Sequence, residues 1–498
     1  MMIMKKSILI MILFVAVTFK SSANNLIMGT PTVNGSTVSF TIKWDNSWKV
    51  STGPSNWDAV WVFVKRQTCV SSATSPWIHA DLAASGHTVT GSQLQVDAVS
   101  DNKGVFIRRN AAGLGNINQA TVTLTLASAI GSDNIGVYGI EMVNIPQGQF
   151  YIGDGRSDLR AFTDGNTNNP KLIDATIQSN GLGAASNYQK QSLGSSNNLP
   201  ATFPLGYNRF YCMKYEITAG QYVAFLNTLT YKQQLRMQRD YNPNVTPPTS
   251  ATGTQFHCWP CGNRSANIVI ATPAQSVTQI SPAVYANDFD NDGVYDEDAD
   301  GLGLPVVLNM KNFFAFLDWA AIRPMTEFEY EKVCRGPNTP VINEFAWGST
   351  DMFREFDMVD RGKSTEYNRK SGLGPANCGI DTLFRTGMFA TATSDRIHAG
   401  ATYYGVLDMT GGVWESCIGG WSVDFSGFTT ANGDGNLYEN GDSSNNGSTD
   451  MPEWISNKIT VRGGGANWQD VWQAVSPRNW VNIDSYGHYQ GGRGVRSY

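Results

Sequence analysis

The sequence predicts an all-β sandwich at the N-terminus, followed by a larger, loop-rich α+β domain. Short alternating apolar runs fill the first part of the chain, and only a few helical patterns interrupt the long irregular second part. The series of short alternating apolar runs ends near Ile140. We therefore expect residues 24–139 to form the sandwich and residues 140–498 to form the second domain.

Four alternating runs predict the strands of the sandwich. Clusters of Gly, Asn, Ser and Pro separate them, which is the spacing of short strands joined by turns. The runs are "STVSFTIKW", "AVWVFVKR", "KGVFIRR" and "ATVTLTLA".

Three helices are predicted in the second domain, and two of them begin with a capping box. Thr218 and Gln221 have the N-cap and N3 spacing, and so do Thr326 and Glu329. Between these two lies the strongly apolar run "MKNFFAFLDWAA", which is typical of a buried helix. Three helices in this length of chain leave most of the domain to loops and short strands.

The N-terminus predicts export. Lys5 and Lys6 precede an apolar run, and Ser21 and Ala23 have the spacing of a cleavage site, so we expect residues 1–23 to be a signal peptide. The apolar run is short for a membrane span and no later segment reaches its length, so no transmembrane segment is expected in the mature chain. We expect the mature protein to be periplasmic, cell-surface or extracellular.

Charge argues against a nucleic-acid partner. The 498 residues carry a formal net charge of −6, charged residues make up only 16%, and the basic residues form no patch.

Seven motifs, in order, resemble the formylglycine-generating enzyme (sulfatase-modifying factor) family over residues 140–498. They are "MVNIPQGQFYIG", "KYEITAGQYVAFLN", "RPMTEFEYEKVCRG", "FAWGST", "GVLDMTGGVWES", "VRGGGANW" and "GGRGVRSY". The resemblance implies a C-type-lectin-like fold. It also implies an oxidase that converts a sulfatase cysteine to formylglycine with copper held by two cysteines.

The copper-binding cysteines implied by the resemblance are missing. Their positions after Arg462 hold Trp468 and Gln473, and no cysteine follows Cys417. Copper(I) requires soft thiolate ligands, which neither an indole nor an amide replaces. We therefore expect no copper and no family oxidase activity.

The resemblance further implies two structural calcium sites. Asn377, assisted by Asp381, matches one of them, and Glu415 matches the acidic residue of the other. The alternative for Glu415 is a buried carboxylate that accepts hydrogen bonds from backbone amides.

An Asp-rich insertion at residues 286–301 predicts a third calcium site. Asp288, Asp290 and Asp292 alternate like the ligands of an EF-hand loop, Gly293 follows at the sharp turn, and Asp296 falls at the ninth position. The twelfth position is alanine instead of glutamate. The alternative is a solvated acidic insertion.

These observations favour an exported, non-catalytic binding protein that recognises a glycan or a protein. Large aromatic side chains and an arginine suit such a surface. We expect it to include Trp468, Trp472, Arg478, Trp480, Tyr486 and Tyr489. The alternative is that the aromatic side chains fill the core, which we expect for at least half of them. The alternatives are a divergent formylglycine-generating oxidase and a structural subunit of an extracellular or envelope assembly.

Overall fold

The fold was obtained as a computed structural model. The structure describes residues 25–68, 75–91, 93–184, 188, 198–237, 268–272, 282–295, 298–379, 382–419, 427–438, 448–454, 459–467, 470–481 and 489–498. The expected signal peptide, Asp296, Asp381, Trp468 and Tyr486 lie outside the described residues, as does the side chain of Trp480.

Among the described residues, ten strands occupy the first part of the chain and belong to two sheets. They are β1 (Ile27–Met28), β2 (Thr32–Asn34), β3 (Thr37–Lys49), β4 (Asp58–Gln67), β5 (Ile78–His79), β6 (Thr88–Val89), β7 (Leu94–Ala98), β8 (Val105–Arg109), β9 (Gly113–Thr125) and β10 (Asn134–Ile145). The four predicted runs therefore correspond to β3, β4, β8 and β9.

The two sheets bury a common core. Strand β3 alternates buried and partly exposed positions, and its buried side chains include Val38, Phe40 and Ile42. They belong to the same apolar cluster as Val60 and Val62 of β4. The period of two in the sequence directs these side chains to one face of the strand.

The rest of the chain adds five helices and fifteen short strands among the described residues. In chain order these are β11 (Phe150–Ile152), β12 (Lys171–Ile173), α1 (Ala175–Asn180), β13 (Leu182–Ala184), β14 (Asn198–Leu199), β15 (Phe210–Met213), α2 (Ala219–Leu226), α3 (Tyr231–Arg236), β16 (Ile268–Thr272), β17 (Val284–Asn287), α4 (Met310–Trp319), β18 (Arg323–Thr326), α5 (Glu327–Arg335), β19 (Met358–Val359), β20 (Tyr367–Asn368), β21 (Trp414–Ile418), β22 (Ile459–Arg462), β23 (Asn479–Val481), β24 (Gln490–Gly491) and β25 (Gly494–Ser497). Single 3₁₀ turns lie at Asp298–Asp300, Pro452–Trp454 and Asp470–Trp472. The protein is thus β-rich and loop-rich, with few helices.

Strand β10 joins the two parts of the chain. It pairs with β4 from Asn134 to Val143 and with β15 from Met142 to Ile145. The resulting sheet runs in the order β23-β22-β21-β18-β25-β15-β10-β4-β8-β7. Side chains reinforce this junction: the indole of Trp61 donates to the carbonyl of Ala320 at 2.9 Å. The two parts consequently share one hydrogen-bonded sheet across residue 140.

Both predicted capping boxes are confirmed. Thr218 and Gln221 exchange side-chain and backbone hydrogen bonds at the start of α2, and Thr326 and Glu329 do so at the start of α5. Each box satisfies backbone donors that a helix start otherwise leaves unpaired. The apolar run also forms a buried helix, α4. In the described part of the chain, the helices are all too short or too polar to span a bilayer.

Candidate functional site

A tight turn follows β22 at the three consecutive glycines. Gly463 and Gly464 have φ values of 76° and 73°, a region that side chains disfavour. A Cβ on Gly463 would lie 2.5 Å from the carbonyl oxygen of Met409, and one on Gly464 would lie 2.6 Å from Cδ of Gln473. Both glycines are required because the turn packs directly on its neighbours.

Arginine and glutamate side chains form a buried network beneath this turn. Arg462 pairs with Glu331 at 2.5 Å, and Arg335 pairs with both Glu331 and Glu344. These four residues are at most 4% exposed. Charged hydrogen bonds at such depth hold the end of β22 against α5.

The network continues to Arg478, which we expected at a binding surface. Arg478 is only 5% exposed, and its guanidinium grips the carboxylate of Glu327 at 2.9 and 2.5 Å. Burial alone would raise the pKa of Glu327, but Arg478 and Arg462 hold that pKa below its ordinary value. The guanidinium of Arg478 is therefore structural in this fold and is not presented to solvent.

The aromatic residues expected at that surface occupy different environments. Tyr489 is 0% exposed and belongs to an apolar cluster with Trp414, so it does not form an exposed contact. Trp472 is half-buried, with its ring centroid 6.4 Å from that of Trp414. Trp480 lies in β23, where its backbone pairs with Thr460. Only Trp472 is both described and partly open to solvent.

The Asp-rich insertion brings its first three carboxylates together. Ligand oxygens of Asp288, Asp290 and Asp292 all lie within 4.8 Å of one another. Asp288 is buried, whereas the other two are exposed. Asn291 and Gly293 adopt φ values of 63° and 78°, which turn the chain sharply around this group.

A buried amide lies beside these aspartates. Asn287 is 1% exposed and donates through Nδ2 to the carbonyl of Asp300. Its Oδ1 atom accepts no hydrogen bond. A buried acceptor without a donor is costly, so the base of the loop presents an oxygen that suits a cation.

Asn377, predicted as a calcium ligand, lies beside the turn at Gly411. In the amide orientation that satisfies its neighbours, Asn377 donates to the carbonyl of Thr382 at 2.8 Å and accepts from the backbone of Phe384 at 3.0 Å. Its backbone carbonyl also lies 2.6 Å from where a Cβ on Gly411 would be. The side-chain amide therefore binds the chain together locally in this structure.

Glu415, the other predicted ligand, already faces a cation. Arg493 donates to its Oε1 atom at 2.6 Å, and both side chains are at most 1% exposed. Its second oxygen, Oε2, accepts no hydrogen bond. Burial raises the pKa of Glu415 and of nearby Glu216, while Arg493 lowers both. The guanidinium of Arg493 thus interacts with the buried carboxylates of both Glu415 and Glu216.

Sequence reasoning missed a second acidic group. Asp318 of α4 lies with Asp434 and Asp450, again with ligand oxygens within 4.8 Å of one another. Burial raises the pKa of Asp318 to about 8 and lowers that of neighbouring Lys65 to about 7. Lys65 comes from β4 and donates to the carbonyl of Gly435, so it supplies positive charge beside this group. No local spacing relates these four residues, and only the fold brings them together.

A family model matches most of the chain and shows which family it belongs to. The family model for the sulfatase-modifying factor enzyme 1-like domain matches residues 139–498. The chain belongs to this family. Among solved structures, this family member is similar to PvdO from Pseudomonas aeruginosa, with 16% identity, a TM-score of 0.34, and 72% of this chain and 95% of that chain covered.

A second solved structure is similar over a smaller part of this sulfatase-modifying-factor-like chain. The pilus 2b backbone protein of group B streptococcus has 13% identity and a TM-score of 0.11, with 39% of this chain and 86% of that chain covered. No curated protein matches the sequence.

Gln473, at the position where the resemblance implied the second copper cysteine, is held by hydrogen bonds within the chain. Gln473 is 0% exposed, and its Nε2 atom donates to the carbonyl of Gly465 at 3.0 Å. The backbone carbonyl of Gln473 accepts a hydrogen bond from the hydroxyl of Thr410 at 3.2 Å. The glutamine therefore ties the glycine turn to the strand end.

The described cysteines lie elsewhere and are inert by environment. Cys212, Cys334, Cys378 and Cys417 are all buried and free of disulfides. Burial raises the pKa of Cys334 to about 12 and raises those of Cys212 and Cys417 as well. Thiols with such pKa values are protonated at neutral pH and are poor nucleophiles and metal ligands.

Proposed function

We propose that this chain is an exported binding protein built on a sulfatase-modifying-factor-like domain, and that it does not form formylglycine. The observation that carries the proposal is the buried amide of Gln473, which holds the glycine turn where the family resemblance puts a copper thiolate. An amide oxygen is a hard ligand and does not retain copper(I). The other position is Trp468, whose indole has no thiolate chemistry either.

The ligand would be a glycan or a protein segment recognised near Trp472. That side chain is half-buried against Trp414, so its ring is held in place at little entropic cost. The neighbouring Val471 is 53% exposed, which extends the apolar contact area. Buried Tyr489, which lies in the same apolar cluster as Trp414, would support this surface from below.

A glycan and peptide array with the purified protein tests the binding role. We expect a specific ligand whose affinity falls at least tenfold in Trp472→Ala. Trp77→Ala, a partly exposed tryptophan in the first part of the chain, is the matched control and should bind normally. Thermal unfolding of both variants separates lost contacts from lost folding.

The oxidase alternative is tested with copper and a Cys-x-Pro-x-Arg peptide. We expect no formylglycine above a metal-free control. Copper-dependent turnover would overturn the proposal. A third role, as a structural subunit of an envelope or extracellular assembly, would appear instead as stable co-fractionation with one defined complex and no array ligand.

We also propose that the Asp-rich insertion binds calcium. Three converging carboxylates and the vacant Oδ1 acceptor of Asn287 support this, because calcium prefers several oxygen ligands in a flexible loop. Calorimetric titration of the full chain should show binding that Asp290→Asn with Asp292→Asn weakens at least tenfold. Glu355→Gln, an exposed carboxylate elsewhere, is the control. Unchanged binding in the double variant would rule out this loop.

A further inference from the structure

A cavity of about 440 Å³ lies where the first part of the chain meets α2 and α4. Phe63 of β4 and Tyr138 of β10 line one side, and Phe316 and Trp319 of α4 line another. The ring of Phe63 meets that of Trp319 edge-on at 5.0 Å, so the aromatic wall is packed and rigid. A volume of this size accommodates a small organic molecule.

Arg385 lines the same cavity, and its guanidinium makes fewer hydrogen bonds than it has donors. It is 6% exposed, and its Nη2 atom donates to the carbonyl of Glu366 at 3.2 Å. Its Nε and Nη1 atoms have no hydrogen-bond acceptor, and among the described residues it forms no ion pair with a carboxylate. Burial lowers the pKa of Arg385, and nearby Glu366 only partly opposes that shift. A buried guanidinium in this state lacks most of its compensation.

A second donor in the cavity wall is also unused. Trp319 is 4% exposed, and its indole Nε1 has no acceptor. Buried tryptophan N–H groups ordinarily find an acceptor. Both side chains line the cavity, and three of their nitrogen atoms are buried without a hydrogen-bond acceptor.

The acidic side chains in the wall are, by contrast, already engaged. Glu141 pairs with Lys214 at 3.1 Å, and burial raises its pKa to about 7, which reduces its negative charge at neutral pH. Asp298 accepts from the backbone amide of Ser364 at 3.0 Å. The guanidinium of Arg385 therefore lacks a negatively charged acceptor in the cavity wall.

We propose that this cavity binds a small organic anion, with a carboxylate or similar oxyanion against Arg385 and an apolar body against the aromatic wall. The inference is independent of the proposed surface at Trp472, because neither Trp472 nor its neighbours line the cavity.

The test is calorimetric titration of the full chain with 3-phenylpropionate, using the neutral alcohol 3-phenylpropan-1-ol as the matched ligand. We expect the acid to bind at millimolar concentrations or below, at least tenfold more tightly than the alcohol. Arg385→Met should remove that preference. Arg369→Met, which removes an exposed guanidinium, should leave it unchanged.

A second variant blocks the space without touching the charge. Ala224 lies on α2 in the cavity wall, so Ala224→Phe should abolish binding of both probes. The proposal is overturned if the acid does not bind, if it binds no better than the alcohol, or if Arg385→Met retains the preference. Array results at the Trp472 surface decide the other proposal separately.

Discussion

Buried arginines occur in two contrasting settings in this protein. Under the glycine turn, Arg335, Arg462 and Arg478 each pair with glutamates that are themselves buried. At the cavity, Arg385 is nearly as deep but forms no ion pair with a carboxylate of the described residues, and two of its nitrogen atoms have no acceptor. The first setting is balanced by the chain itself. The second setting leaves the guanidinium of Arg385 without an ion-pair partner, an arrangement typical of a site that binds a charged ligand.

The largest expected effect is in the balanced network. Glu331→Gln keeps the shape but removes the charge between Arg335 and Arg462, which leaves two buried cations under-compensated. We expect a loss of about 3–5 kcal/mol in the free energy of unfolding, measured by denaturant titration. Glu355→Gln breaks an exposed pair with Lys370 and should cost less than about 1 kcal/mol. Equal losses would mean that burial does not distinguish the two pairs.

Asp318 tests the same contrast with a buried carboxylate. Its pKa is about 8 in the folded state and 3.8 ordinarily, so between these values the folded state binds the extra proton. Stability should therefore fall as pH rises from about 4 to about 7, by at most about 1.4 kcal/mol per pH unit. Above about pH 7, Lys65 contributes an opposite slope, because its folded pKa is below its ordinary value.

Denaturant titrations of the wild type and Asp318→Asn at several pH values measure this slope. The difference in stability between them should shift in favour of the variant as pH rises across that window. A pH-independent difference would show that Asp318 keeps an ordinary pKa despite its burial beside Asp434 and Asp450.

The smallest expected effect is at the open arginine. Arg385→Met removes one hydrogen bond, to Glu366, but also relieves the cost of burying the cation. We expect the free energy of unfolding to change by less than about 1 kcal/mol. Arg462→Met, by comparison, leaves Glu331 with one partner fewer and should be clearly destabilising. A large loss at Arg385 would make it one more structural arginine.

Local sequence signals predicted the elements of this fold well. The alternating runs gave β3, β4, β8 and β9, and the boxes at Thr218 and Thr326 fixed the starts of two helices. These signals work because strand alternation and helix capping depend on residues only a few positions apart.

The candidate sites were harder to predict because they are assembled from distant segments. Tyr489 and Arg478 were expected at a surface, but neighbours from elsewhere in the chain bury them. Loops have no periodicity that distinguishes a buried aromatic from an exposed one. Likewise, nothing near Arg385 in the sequence indicates that it lacks a carboxylate partner, since that depends on the whole fold.

Strand β10 limits how this protein could be divided by truncation. Family similarity starts at residue 139, yet β10 is hydrogen-bonded to β4 on one side and to β15 on the other. A chain cut there would keep Met142–Ile145 of β10 on β15 but would lose β4, which leaves the other edge of β10 bare and favours aggregation. It would also remove Phe63 and Tyr138 from the cavity wall. We therefore expect that neither part of a chain divided at that boundary folds on its own.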